Sequence, residues 1–460
     1  MPRTAVVWFR RDLRVHDHPA LSRAVAEHDR VVPLFVVDDR LLVGRWASAN
    51  RAWHLAGALE RLADAIAERG GTLAVVRGDP RSVVVEVARE VGATTILATR
   101  DLSPYARGRD EAVAAASAAH GIAFLAGRGQ LVHEPEELRR DDGGPYAVFS
   151  PFQRRWEALP IRDPLEAPVA IRSDPLPSAA GSTILEVLGD RRPTADPELL
   201  LEPGEPAARR RLARWATSDA LRDYDQGRDR LAEDGTSRLS QDLRWGTLSP
   251  VEVLERCAGP GRGRERFRAE IAWRDFYTHL LWREPSVLRR SFRREFDALS
   301  WSSDDQAVQA WREGRTGYPI VDAAMRQLLA TGWMHNRARM IAASFLTKHL
   351  LVDWRVGEAH FMEHLVDGDP ASNNGGWQWA ASTGTDPQPY FRIFNPTLQG
   401  RRHDPDGSYV RRWVPELAGL TGPDIHEPPP GRYLEPIIEH GAARRRALDA
   451  YGAARSSAGG

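Results

Sequence analysis

The run from Asp367 to Pro396, DGDPASNNGGWQWAASTGTDPQPYFRIFNP, combines carboxylates, amides, adjacent glycines and closely spaced tryptophans. It is too polar and too Gly-rich for plain core and suits the wall of a buried planar ligand. Gly375 and Gly376 let backbone approach a ring system, Asn373 and Asn374 offer donors and acceptors, and Trp377 and Trp379 supply aromatic area. Three further groups could serve the same chemistry. Glu270 and Trp273 stand three apart on one helix face, a carboxylate beside an indole that fits a planar, hydrogen-bonding ligand. Asn336, Arg337 and Met340 fall within about one helical turn, with Trp333 on the side of Arg337 and Met340. Asp234-Gly-Thr-Ser-Arg-Leu-Ser240 places hydroxyls and backbone amides in a turn before a helix, where phosphate binds readily. Each has a plainer alternative. Thr236 or Ser237 could be an ordinary N-cap, Glu270 a surface residue beside a core Trp, His335 a satisfied structural histidine, and Asp367 or Asp369 a loop carboxylate or cap. Arg339 is the expected ion-pair partner of Asp367.

The elements that must position these residues are of two kinds. Up to about residue 135, β-branched runs (Ala5 to Phe9, Val31 to Val37, Leu73 to Arg77, Thr94 to Ala98, Ile122 to Leu125) alternate with Ala-rich helical stretches, which predicts a parallel α/β sheet. No G-x-G-x-x-G follows the first strand, so the usual dinucleotide-binding use of such a sheet is not supported. Residues 136–206 form a connector, with nine prolines between Pro160 and Pro206. From 207 to 460 the signals are helical: Arg210 to Asp229, Ser249 with Pro250 as a start, Pro319 opening Ile320 to Leu329, and His335 to Leu351. The fold class is therefore α/β, a Rossmann-like N-terminal domain followed by an all-α domain, with a short disordered tail after about Tyr451.

At 460 residues with 42% hydrophobic content, two cores are expected. No apolar run suits a bilayer span and the N-terminus lacks a secretory leader, so a cytoplasmic protein is expected, with no membrane partner. One cysteine, Cys257, excludes an internal disulfide and points to no metal site. The 63 basic and 63 acidic residues balance, which argues against a uniformly basic surface. Lys348 is the sole lysine, however, and the arginines, suited to bidentate phosphate contacts, include the strip Arg289, Arg290, Arg293 and Arg294, which could form a local basic face.

These motifs stand in an order and spacing that resembles the photolyase/cryptochrome family, over nearly the whole chain: VVWFRRDLRVHDHPAL (Val6 to Leu21), YAVFSPF (Tyr146 to Phe152), DGTSRLS, GYPIVDAAMRQLLATGWMHNRARM and FNPTLQG (Phe394 to Gly400). The resemblance implies FAD, active when reduced, folded in the helical domain. Tyr224, Thr236, Ser237, Arg238, Leu239, Ser240 and Arg274 would surround its phosphates, and Arg339, Asp367, Asp369 and Asn373 its ring system. Asn373 would face flavin N5, where animal-type cryptochromes tend to carry Cys. UV-damaged DNA is the implied partner, its pyrimidine dimer turned into a cavity lined by Trp273 and Trp379, with Glu270 bonding a pyrimidine carbonyl and Asn336, Arg337 and Met340 touching the lesion. Glu270, Asn373 and Met340 are thus the implied catalytic residues. Trp377, Trp354 and Trp301 match the family's relay that re-reduces oxidised flavin in light. Trp333 to Arg337 is similar to the class I, dimer-repairing pattern rather than the (6-4) branch. A signalling cryptochrome, which more often carries a long tail, is the alternative. Asp101 to Arg107 lacks the Asn-Glu pair of folate binders, and Leu41 to Leu59 is closer to the 8-hydroxydeazaflavin type of antenna site. A monomer is expected.

Overall fold

The computed structural model describes residues 2–44, 46–140, 142–173, 176, 184, 186, 189, 192–387 and 389–458. Five strands, β1 (Thr4–Phe9), β2 (Arg30–Val37), β3 (Ala74–Arg77), β4 (Thr95–Thr99) and β5 (Ala123–Gly127), form a wholly parallel sheet in the order β3-β2-β1-β4-β5. The predicted strands lie within one or two residues of these bounds. Every residue of β1 is buried, as a sheet covered on both faces requires. Val7 and Phe9 pack with Leu55, Leu59 and Leu62 of the helix Ala49–Ala67, whereas Val6 and Trp8 pack with Val84 and Val113 on the opposite face.

The connector wraps this unit where it is described. Arg162 pairs with Asp17, the Val31 N–H donates to the Arg172 carbonyl, and Asn50 Oδ1 accepts from the N–H groups of Thr194 and Ala195. Much of its centre lies outside the described residues.

Beyond it the structure is helical, with two corrections to the sequence expectation. Arg210 to Asp229 is not one helix but three, Glu205–Ala216, Asp219–Arg222 and Tyr224–Gly227, because Ser218 accepts the Leu221 N–H and starts a new turn. The tail is helical as far as Ala458: the helix His440–Ala458 buries Ala447, Tyr451 and Ala454 against Phe296 and Leu299. The starts at Ser249-Pro250, Pro319 and His335 are as expected, Ser249 accepting the Val251 N–H and His335 the Arg337 N–H. The helix from Asn336 ends at Ser344 and continues as a wider turn over Phe345–His349.

The two units are clasped by the FRRDLR segment. Arg14 donates to the carbonyls of Asp17, Gly129 and Gly246, and Arg11 pairs with Asp369 in the helical unit. Gly246, at φ 66°, is required here, since a Cβ would meet the Arg11 carbonyl oxygen at 2.0 Å. No described helix is long and apolar enough to cross a membrane.

Lys348 is fully buried, donating to Ser382 Oγ at 2.7 Å and the Tyr390 carbonyl at 3.1 Å, with its amine over the Tyr451 ring. Burial pushes its pKa down to about 7. Between that value and the ordinary lysine value near 10.4, the unfolded chain holds a proton that the folded chain has given up, so this group makes stability rise with pH across that window. Lys348→Met is expected to flatten the rise in urea-unfolding free energy between pH 7 and pH 10. Parallel curves for the two proteins would refute this.

Candidate cofactor and substrate site

Three helices build one cavity of about 420 Å³. The helix Arg262–Arg283 contributes Arg266, Glu270, Trp273, Arg274 and Tyr277, whose spacing of three or four residues sets them on one face. The helix Asn336–Ser344 contributes Asn336, Arg339, Met340 and Ala343, and the helix Pro370–Ala380 contributes Ser372, Asn373, Gly376, Trp377 and Trp379, with Asp367, Gly368 and Asp369 just before it. The lone motifs of the sequence thus converge in space.

Asp369 caps its helix, one oxygen accepting the Ala371 and Ser372 N–H groups at 3.0 Å, with Pro370 at the first helical position. Its other oxygen takes Arg11. Burial opposes its charge, but Arg11 and Arg244 outweigh burial and hold the carboxyl well below the usual carboxylate range. Asp367 pairs with Arg339 at 2.8 Å, as the sequence suggested, and its Oδ1 is buried with no protein partner. Arg274 donates to the Gln130 carbonyl at 2.8 Å, and burial lowers its pKa against the opposing pull of Asp275 and Asp369.

Glu270 is bound to Arg228 and lies 3.6 Å from Arg266. Trp273 stacks flat on Phe149, ring centroids 3.7 Å apart and 9° from parallel, so the connector helix Phe149–Ala158 backs one wall. Asn373 donates from Nδ2 to the Glu358 carbonyl at 3.0 Å, which anchors the amide and leaves its oxygen for a ligand.

Several predicted residues lie elsewhere than on this cavity. Asn374 turns inward, donating to the Val287 carbonyl and Glu358 and accepting from Gln378, because a buried amide must be satisfied. Gly375 approaches a protein ring, since a Cβ there would meet Tyr277 at 2.1 Å; at Gly376 a Cβ would meet nothing within 4 Å, so only Gly376 opens onto the cavity. Arg337 is held by Asp229 at 2.7 Å and is absent from the lining. Tyr224 lies in the aromatic core against Trp215 and Phe267, under Arg228.

The turn Asp234 to Ser240 needs no cap from Thr236 or Ser237: Leu239 is the N-cap of the helix Ser240–Trp245 and no side chain caps it. Arg238 adopts φ 52° and lies over the Trp333 ring at 4.2 Å, with Nε buried and unpartnered. Of this segment only Ser240 reaches the cavity. Trp377 and Trp354 are 2% and 0% exposed, and Trp301 is half-buried on the same core cluster. Arg11, Arg228, Arg244 and Phe149 were not foreseen as site residues. The first and last stand inside segments quoted as signatures, and their spacing alone says nothing of what they touch.

A second cavity of about 370 Å³ lies between the two units and unites the predicted antenna segments, Leu41, Trp46 and Arg51 from one and Asp101, Ser103 and Tyr105 from the other. A wider groove of about 650 Å³ beside Tyr318 and Pro428 holds none of the predicted residues.

FAD meets a fitting donor set. Buried Asp367 Oδ1, on the cavity lining, lacks a protein partner and offers an acceptor for a ring N–H, with Arg339 and Arg274 beside it as cationic donors. Gly376 leaves the helix face open to a flat group.

Residues 267–453 match the family described as the FAD binding domain of DNA photolyase, and residues 5–169 match DNA photolyase. The chain is 40% identical over 481 positions to the deoxyribodipyrimidine photo-lyase of Agrobacterium fabrum, with 98% of each covered. A bacterial class III photolyase from Agrobacterium tumefaciens has the same fold with a TM-score of 0.93, at 38% identity over 99% of this chain and 98% of that one. A Synechocystis cryptochrome gives 0.89 at 28% identity over 98% and 99%. With identity of this order along nearly the full length of both chains, the protein belongs to the DNA photolyase/cryptochrome family.

Proposed function

We propose that this chain is a deoxyribodipyrimidine photo-lyase, which uses light and FAD to split cyclobutane pyrimidine dimers in DNA. The observation that carries the reading is the convergence of Glu270, Trp273, Asn336, Met340, Asn373 and Trp379 on one cavity beside the Asp367–Arg339 pair. FAD, when bound and reduced, would supply the light-driven one-electron chemistry. Asp367, Arg339, Asp369, Asn373, Arg274 and Ser240 hold it, and we keep Tyr224, Thr236, Ser237, Arg238 and Leu239 as its outer phosphate-side support.

Base-flipping enzymes, photolyases among them, receive a nucleotide turned out of the duplex, at a cost that damage reduces. Trp273 and Trp379 would stack on the flipped dimer, and Asn336 and Met340 would border it. Arg337 would join them on release from Asp229. Glu270 would exchange one of its arginine contacts for a pyrimidine carbonyl and steady transient negative charge there. Glu270→Ala is expected to retain FAD and to lower repair about tenfold, the worth of one hydrogen bond to a charged group. Loss of the flavin absorbance in that variant would contradict this role.

The duplex would lie along exposed Arg289, Arg290, Arg293 and Arg294, which the Phe292 N–H to Gln378 and Arg293 N–H to Thr383 bonds tie to the end of the Trp377 helix. We assign residues 1–135 to the antenna unit, 136–206 to the connector and 207–460 to the catalytic unit. The inter-unit cavity is assigned to an 8-hydroxydeazaflavin-type antenna rather than a folate. The protein is read as a cytoplasmic monomer of the class I branch, the branch resting on Trp333 to Arg337.

The test is light-dependent loss of thymine cyclobutane dimers from a defined oligonucleotide, with anaerobically reduced protein and a dark control. Repair only in light supports the reading. No repair by flavin-loaded, photoreducible protein would transfer it to photoreception or to (6-4) lesions.

A further inference from the structure

The helix Trp354–His364 ends in His360-Phe-Met-Glu363-His364, and none of these three polar residues lines the cavity described above. A ligand atom from each lies within 4.8 Å of the other two. The imidazoles of His360 and His364 are 4.6 Å apart. His360 is 6% exposed, packed on Trp311, and its Nε2 has no partner; buried Nδ1 of His364 has none either. Two unpartnered ring nitrogens beside a carboxylate are unusual in a protein interior, where polar atoms are normally satisfied.

We propose that His360, Glu363 and His364 form a binding site for a divalent transition cation of the zinc class. The ligand set is two neutral imidazoles and one carboxylate, which suits such an ion. The site occupies the last turn of its helix, at the negative end of the helix dipole. The charged groups facing it are Arg312, which opposes a cation, and Glu363, which offsets Arg312.

Metal–ligand bonds near 2.1 Å put no two ligands more than about 4 Å apart. Half-buried His364 and exposed Glu363 have the freedom to close the remaining gap. The His-x-x-Glu-His spacing also occurs in metallopeptidases, which use the Glu as a base and need a further ligand from elsewhere. Among the described residues no other His, Cys, Asp or Glu joins this group, so the site holds its ion as a clamp rather than as a hydrolytic centre. The helix end it ties lies at a junction between the units. Asn50 donates to the His364 carbonyl at 2.7 Å and Arg51 to that of Leu365 at 2.9 Å, both from the helix Ala49–Ala67 of the other unit.

The test is titration of the full-length, flavin-loaded protein, stripped with a chelator, with zinc chloride against a chromophoric competitor. One zinc per chain is expected, with a rise in melting temperature. His364→Ala and Glu363→Gln, both on exposed or half-exposed side chains and so safe for folding, should each weaken binding about 100-fold or more, at least the loss that follows removal of an outer-shell partner. The proposal falls if the wild type binds no stoichiometric zinc, or if both variants bind it as tightly as the wild type.

Discussion

Asp369→Ala is expected to destabilise or strip the cofactor site, at a cost of about 3 kcal/mol, because it leaves the largely buried Arg11 with only Asp101, 3.8 Å away, as counter-ion. Arg11 pairs with this carboxylate, and Arg244 and Arg274 lie within its field. The cap on the Pro370–Ala380 helix would be lost as well, a further ~1 kcal/mol. Asp369→Asn separates the two effects, since Asn caps as well as Asp but carries no charge. It should recover only the cap. The measurement is chemical unfolding together with flavin content. The acid limb of the stability curve supplies an independent check. Asp369 titrates below the ordinary aspartate value near 4 when folded, so its stabilising effect is complete above that value and disappears as pH falls through the folded-state pKa. The Asn variant should therefore lose less stability on acidification than the wild type. Equal acid sensitivity, or a fully flavin-loaded Ala variant of wild-type stability, would show that the arginines do not depend on this carboxylate.

Trp301→Phe is expected to reduce light-driven reduction of the oxidised flavin to background, while protein reduced chemically repairs at the wild-type rate. The buried indoles give the reason. Trp377 and Trp354 have buried N–H groups with no acceptor, so an oxidised ring at either position cannot shed its proton. The electron vacancy must pass on to a ring with access to water, and Trp301 is half-buried. Phe is far harder to oxidise than Trp and stops the transfer. Trp311, whose ring is 6.0 Å from Trp377, is the rival branch. Normal photoreduction in Trp301→Phe and its loss in Trp311→Phe would redirect the relay through Trp311.

Much of this protein was legible without coordinates. Strand positions followed from β-branched runs, since a parallel strand buried on both faces must be apolar throughout. Helix starts at Pro250 and Pro319 followed from a proline at the first helical position, with Ser249 as a cap before the first, because such starts are decided by a few neighbouring atoms. The shared face of Glu270 and Trp273, three apart on one helix, was also local in origin, whereas the expected pairing of Asp367 with Arg339 joins residues 28 apart.

What failed was long-range or depended on direction. Asn373 and Asn374 are the same residue type side by side, yet successive residues on a helix point about 100° apart, so one lines the cavity and the other is bound inside. Gly375 and Gly376 divide in the same way, one against Tyr277 and one against open space. The C-terminal helix looked like a polar tail because its Ala and Tyr face counts as apolar only once Phe296 and Leu299 are opposite it. Arg11, 358 residues from Asp369, and Phe149, stacked on Trp273, belong to the site only through chain topology. His360, Glu363 and His364 could be seen as a spacing, but not their unpartnered nitrogens. The sequence by itself determined the family, the two kinds of unit and most of the residues that meet at the cavity, since those depend on residue type, order and local periodicity. Only the tertiary structure decided which face of each helix is turned inward and which distant arginines hold the carboxylates, since those depend on contacts between segments that no local pattern encodes.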